Sequence, residues 1–232
     1  MPSNETINFA ARFEYLKVIQ EQRLEVLSDL HRQTFSVYRT CLQSNPNGAA
    51  LQTLAELSAT LRNQPSPGLN DFDHALRKWA SAHGFQDDWI RDAAIQTMHT
   101  WVRGGPVGKW AYLPKELNLP KFQPRFGYWV PQLSEWAKFK KISDATYRSE
   151  LANYRAEVRN MWAEGQTSLS EHALWSVLWQ QGKSPEAIKR RHLKTTGQAL
   201  SLAAIQQGVH EFAATAGLTL RKPKAGRHAR KM

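Results

Sequence analysis

The chain predicts an all-α fold, and three observations predict it. Apolar residues recur at three- and four-residue steps through the segments that lack proline and glycine. The breaks between those segments fall on clusters such as "NPNG" and "NQPSPG". Between Gly104 and Pro131, where the helical period fails, no stretch alternates apolar and polar residues for long enough to read as a strand. With 232 residues, 41% of them hydrophobic and nine of them tryptophan, the chain can fill a core without metals or disulfides.

From Ile7 to about Leu42 the residues Phe9, Phe13, Leu16, Ile19, Leu24, Leu27, Leu30, Phe35, Val37 and Tyr38 keep the helical step, with no proline or glycine, so one long or once-broken helix is expected. "AALQTLAELSATL" is a second helix. Asn70 or Asp71 is placed to cap "DFDHALRKWASAH", whose Phe72, Ala75, Leu76 and Trp79 share a face and which Gly84 stops. "DDWIRDAAIQTMHTWV" opens on acids that suit a helix dipole and carries Trp89, Ile90, Ala93, Ala94, Thr97, Met98 and Trp101 on one stripe.

Between Gly104 and Pro131 the period fails, with five prolines and four glycines marking a long loop or connector. It returns in "QLSEWAKFKKISDATYRSELANYRAEVRNMWAEG", where Leu133, Trp136, Ala137, Ile142, Tyr147, Leu151, Tyr154, Val158 and Met161 make a stripe that Gly165 ends. "SLSEHALWSVLWQQG" follows as a short helix with Ser170 as its cap and Gly182 as its stop. The expected division is a helical N-terminal domain over 1–103, an aromatic connector over 104–131, a long helix with a three-helix module over 132–220, and a basic tail over 221–232.

Charge separates the halves. Residues 1–99 carry 9 Lys/Arg against 11 Asp/Glu, whereas residues 100–232 carry 22 against 9. Residues 183–232 alone hold 11 Lys/Arg and only two acids, Glu186 and Glu211. Such a field attracts polyanions, chiefly nucleic acid or anionic lipid. No run of eighteen apolar residues occurs, and the start "MPSNETINFAARFEYLKV" has no charged region leading into an apolar core. The expectation is a cytoplasmic protein that does not engage a membrane. Cys41 is the sole cysteine, which excludes an intramolecular disulfide, a CxxC pair and a thiolate metal cluster.

The most informative stretch is Gly182 to Leu218. Ser184 can cap and Pro185 sits at the first helical position, where its missing N–H costs nothing, so "SPEAIKRRH" is a short helix whose core contact is mainly Ile188. The rest of its surface is polar, as in a helix lying across a phosphate backbone. The phosphate-binding set read from this region is Lys183, Lys189, Arg190, Arg191, Lys194, Thr195, Thr196, Arg221, Lys222 and Lys224. "LKTTGQ" then turns at Gly197, and a third helix from Ala199 or Ser201 puts Leu202, Ile205, Val209, Phe212, Ala213 and Ala216 on one face. Its other face shows Ala203, Gln206, Gln207 and His210, small or uncharged side chains that can approach base edges, glutamine reading adenine through N6 and N7. A capped basic helix, a turn and an uncharged polar helix meet the requirements of a helix-turn-helix on duplex DNA.

From about Trp129 onward the chain resembles a group of little-characterised bacterial helix-turn-helix proteins. The likeness rests on "YWVPQLSEWAKFKK", "HALWSVLWQQGKS" and the closing "FAATAGLTLRK", and covers about 100 of the 232 residues. It implies a C-terminal module similar to the DNA readers of sigma factors or resolvases, with recognition falling on Ala203 to His210. The sequence departs from the usual pattern in the long linker between helices two and three. Gly208, inside the recognition helix, is a second departure, since glycine there costs about 1 kcal/mol relative to alanine.

A second nucleic-acid surface is conceivable in the connector, where Trp101, Trp110, Tyr112, Phe122, Phe126, Tyr128, Trp129 and Trp136 alternate with Arg103, Lys109, Lys115, Lys121 and Arg125. Exposed rings would stack single-stranded bases or RNA, whereas buried rings would only order the loop. Catalysis has little support. Cys41 and His31 are ten residues apart, about 280° around one helix, and do not form a nucleophile–base pair from it. Asp87, Asp88, Asp92 and His99 lack a complete metal-ligand set, and no P-loop, GxSxG, HExxH or dinucleotide motif is present. The reading is a non-enzymatic DNA-binding protein without cofactor or metal, a regulator of transcription or an accessory factor of a mobile element. Its N-terminal half would serve self-association or a protein partner; the competing class is a helical protein–protein adaptor.

Overall fold

In the computed structural model, which describes residues 4–44, 51–63, 65–112, 135–163 and 166–222, the chain is all-helical. Among the described residues no strand is present and no helix is long and apolar enough to cross a membrane. The expected first helix is interrupted. Helix α1 (Asn4–Gln22) ends before Arg23, α2 (Glu25–Leu30) runs through a π-helical turn (His31–Phe35), and α3 (Ser36–Ser44) completes the segment.

Helix α4 (Leu54–Asn63) starts five residues later than the apolar pattern of "AALQTLAEL" suggests, because a capping box sets the start. The Thr53 hydroxyl accepts from the Glu56 N–H at 3.2 Å, and the Glu56 carboxylate accepts in return from the Thr53 and Gln52 N–H groups at 3.0 and 2.8 Å. Helix α5 (Pro67–Ala82) starts three residues before Asn70, which corrects the expected cap. Ser66 caps it, accepting from the Leu69 N–H, and Pro67 occupies the first helical position. The "SP" pair read as a break is an N-terminal signature, since the first turn needs no N–H from proline.

Helix α6 (Asp88–Val102) buries the expected Trp89, Ile90, Ala93, Ala94, Thr97, Met98 and Trp101. Its acids are occupied by structural roles. Asp92 accepts from the Leu54 N–H at 2.6 Å, Asp88 pairs with Arg91, and Asp87 leaves the helix end uncapped to reach Thr219. With α1 to α5 it encloses a core around Tyr15, Leu30, Tyr38, Phe72, Leu76 and Trp79. The Trp79 indole donates to the Val26 carbonyl at 3.0 Å and the Tyr38 hydroxyl to the Leu51 carbonyl at 2.9 Å, so both buried polar tips are satisfied.

Helix α7 (Trp136–Ala163) carries the apolar stripe read from the sequence. Over 136–156 none of its described side chains is buried, and Trp136 and Ile142 are 56% and 57% exposed. Six residues apart, these two point about 120° from each other, so Ile142 lies off the side that Trp136 shares with Tyr147, Leu151 and Tyr154, and does not belong to the stripe. Leu133 and Gly165 lie outside the described residues. Helix α8 (Gln166–Gln180) begins four residues before Ser170, which is therefore inside the helix and not its cap.

Three histidines give the fold a pH dependence. Burial lowers the pKa of His99, with Arg103 adding to the effect. Burial likewise lowers that of His172, against the pull of Glu211 and Glu171, and that of His83, where Arg23 adds and Asp29 opposes. Each takes up a proton less readily in the folded chain than in the unfolded one, where histidine is protonated near pH 6.5. The stability they contribute is thus present above that pH and lost as pH falls through the lowered folded values. Urea midpoints should fall steadily between about pH 7 and pH 5, and His99→Gln with His172→Gln should flatten that slope.

Candidate nucleic-acid interface

Local chemistry sets out the C-terminal helices. Gly182, at φ +90°, stops α8, and the N–H groups of Gly182 and Lys183 close back on the Trp179 and Leu178 carbonyls at 2.9 and 3.0 Å. Ser184 then caps α9 (Pro185–Thr196), accepting from the Ala187 N–H at 3.3 Å. Gly197, at φ +74°, ends α9, and Ser201 caps α10 (Leu202–Ala216) through the Ala204 N–H at 3.0 Å.

Trp175, Leu178 and Trp179 from α8, Ile188 from α9, and Ile205 and Val209 from α10 form one small core. His192, one turn beyond Ile188, shares the inward side of α9. It is 6% exposed, stands edge-on to the Trp175 ring at 5.4 Å and lies 3.2 Å from the Thr196 hydroxyl. The i, i+4 spacing from Ile188 is the signal for it, masked in the sequence by the basic residues on both sides.

Gly208 has a tertiary reason. A Cβ there would lie 2.7 Å from Trp175 Cζ3 and 2.9 Å from the His172 ring, so α10 meets α8 across a backbone without a side chain. Trp175 is buried and its ring has little room to yield. Gly208→Ala should therefore destabilise the protein by about 1–2 kcal/mol, overpacking outweighing the gain in helix propensity. Denaturant unfolding measures this; a stabilised variant would show that the ring moves freely.

The four base-reading candidates Ala203, Gln206, Gln207 and His210 are all exposed on the outward side of α10. They are not equivalent. The Gln207 amide donates to Glu211 at 2.7 Å, His210 leans edge-on against the Trp179 ring at 6.1 Å, and Gln206 stands clear. Glu211 is exposed on the same side, an acid at the border of an otherwise uncharged surface.

The phosphate-binding candidates divide into three groups. Arg190 and Lys194 face directly away from the inward line of Ile188 and His192, with Lys189 half-buried on one flank. Arg191, on the other flank, donates to the Gln22 side chain of α1 at 2.7 Å. With Thr195 and Thr196 it borders a cavity of about 200 Å³ against Val18, Glu21 and Trp175. Those two hydroxyls donate to the Arg191 and His192 carbonyls at 3.0 and 2.9 Å. The third group is at the turn between α8 and α9. Lys183 and Lys222 are exposed there, while Arg221 is half-buried with its guanidinium against Gly182 and its N–H held by the Gln180 side chain at 3.1 Å. Lys224 lies outside the described residues.

The module is seated on the N-terminal helices. Phe212, Ala213, Ala216 and Leu218 belong to the large core, where Phe212 lies 6.3 Å from the Tyr15 ring. Arg12 donates to the Ala216 carbonyl at 3.0 Å, the Trp89 indole to the Gly217 carbonyl at 3.1 Å, and Asp87 accepts from the Thr219 N–H at 3.0 Å. These contacts satisfy the carbonyl end of α10 and fix which side of it is left outward.

In the connector, Trp101 is buried, and Trp110 and Tyr112 pack against the large core, so these rings order the chain rather than offer a stacking face. Phe122, Phe126, Tyr128 and Trp129, with Lys115, Lys121 and Arg125, lie outside the described residues. Among the described residues no group of three or more His, Cys, Asp or Glu could hold a metal ion. Comparison with protein families, with curated proteins and with solved structures finds no match for this chain.

Proposed function

We propose that this chain binds duplex DNA through a helix-turn-helix of α9 and α10, with α10 in the major groove, and acts in the cytoplasm as a transcriptional regulator or an accessory factor of a mobile element. The observation that carries the reading is the outward side of α10. Ala203, Gln206, Gln207 and His210 follow one another by steps of one to three residues, all exposed, on a helix whose other sides are closed by α8, α9 and α1. An uncharged hydrogen-bonding surface fits base edges, and the exposed Lys183, Arg190 and Lys194 nearby fit phosphates. Glutamine and histidine supply donors and acceptors without the desolvation cost of a charge. The test is selection of bound sequences from a random duplex pool by the full chain. Enrichment of one motif supports the reading, and an unenriched pool counts against it.

A further inference from the structure

A second cationic surface lies on α7, outside the helix-turn-helix. Lys138, Lys141, Arg148 and Arg155 follow at steps of three, seven and seven residues. At about 100° per residue they fall within roughly a 100° arc and span about 25 Å of helix. All four are exposed, and among the described residues none of them takes part in a side-chain hydrogen bond or ion pair. Of the nearby acids, Glu150 lies on the opposite side of the helix, while Asp144, between Lys141 and Arg148, and Glu135, three residues before Lys138, stand at the stripe's two edges.

Four exposed cations gathered on one side of a helix carry a standing repulsion, which a polyanion relieves. The row's length matches several successive phosphates of one strand, spaced by about 3.4 Å of duplex axis. A lipid surface fits less well. An interfacial helix lays one open apolar side into the bilayer beneath its cations, whereas on the side that Trp136 and Tyr147 share, Leu151 and Tyr154 are half-buried.

We propose that this side of α7 is a second nucleic-acid contact, tracking the phosphate backbone of the duplex beyond the segment read by α10. It adds affinity and positioning rather than sequence preference. The proposal rests on the duplex-DNA reading for the identity of the polymer, but on a different helix for the contact.

The experiment compares three full-length proteins on one random-sequence duplex over a series of salt concentrations. They are the parent, the α7 variant (Lys138→Gln, Lys141→Gln, Arg148→Gln, Arg155→Gln) and an α9 variant (Lys189→Gln, Arg190→Gln, Lys194→Gln). Glutamine keeps helix propensity, and circular dichroism with urea midpoints checks that all three are folded. Each phosphate left without its cation should lower the slope of log K against log salt by about 0.9, so the α7 variant should show a slope smaller by about 3 to 4. An unchanged slope in the α7 variant beside a reduced one in the α9 variant overturns this inference and leaves the helix-turn-helix reading standing. The reverse pattern keeps the inference and removes α9 from the interface. A parent that binds no duplex at low salt overturns both. A parallel arm uses vesicles of phosphatidylcholine and phosphatidylserine. Loss of vesicle binding in the α7 variant with duplex binding unchanged would assign the stripe to lipid and overturn the proposal.

Discussion

Ile205→Asp is expected to unfold the protein as a whole rather than loosen one module. Ile205 is fully buried in the core formed with Trp175, Trp179 and Ile188, where a carboxylate would meet no cation and the Trp179 indole N–H is already given to the Arg221 carbonyl. A buried, unpaired charge of this kind belongs to the most damaging class of substitution, above about 4 kcal/mol. That is comparable with the whole stability of a typical domain, about 5–15 kcal/mol. The loss should spread because α10 also contributes Phe212, Ala213 and Ala216 to the core that holds Tyr15 and Trp89. Once α10 leaves, Arg12, Asp87 and Trp89 lose their partners at its carbonyl end. Thermal and urea unfolding should show one transition in the parent and no folded baseline in the variant, with duplex binding abolished at the same time. A variant that keeps a cooperative N-terminal transition would show that α1 to α6 stand without α10. The same packing bears on dissection of the chain. A fragment over 132–232, which the charge distribution marks as the basic unit, would leave Ala173, Val177, Phe212 and Ala216 uncovered where α1 now lies, and should fold poorly in isolation.

Replacing Gln206, Gln207 and His210 together by alanine should have the opposite character, with fold and non-specific binding retained and sequence preference abolished. The three side chains are exposed, and among the described residues their only bonds or ring contacts are the Gln207–Glu211 pair and the His210–Trp179 packing. Alanine also favours the helix, so the urea midpoint should move little. On the duplex-DNA proposal, each bidentate pairing with a base edge is worth about 1–3 kcal/mol of discrimination, while the electrostatic attraction of the basic residues persists without it. The ratio of affinities for the selected site and a random duplex should therefore collapse toward one, and the salt slope should hardly change. Competition binding with the two duplexes measures both. A folded triple variant with undiminished preference for the selected site would remove α10 from recognition. Gln206 should account for the largest single share, since Gln207 must first give up Glu211.

Residues three and four apart suffice to specify much of this structure, and those parts are legible in the sequence. Ser184 with Pro185, Gly197, Ser201 and Gly217 set the ends of α9 and α10 through bonds to neighbours in the same turn, and the inward line Ile205, Val209, Phe212, Ala216 follows from period alone. The capping box at Thr53 and Glu56 and the Ser66–Pro67 start are equally local, but the neighbouring apolar pattern and the prolines mask them. Other features depend on partners far along the chain. Gly208 reads as a weak point in α10 until Trp175 and His172 of α8 are found against it. Asp87 reads as a helix cap until the Thr219 N–H, 132 residues away, takes its carboxylate. Arg191 is one basic residue among several until Gln22 of α1 engages it and separates it from Arg190 and Lys194. The apolar stripe of α7 has the period of a buried face, yet the period states only which residues share a side, not whether another element covers them. The sequence by itself determined where several helices start and stop, α9 and α10 most clearly, and on which side their apolar residues gather, because those are short-range properties of backbone hydrogen bonding and spacing. Which of those faces is closed, and hence which side of α10 and of α7 is left to meet a partner, was decided only by how the helices pack, a long-range choice that local propensity does not encode.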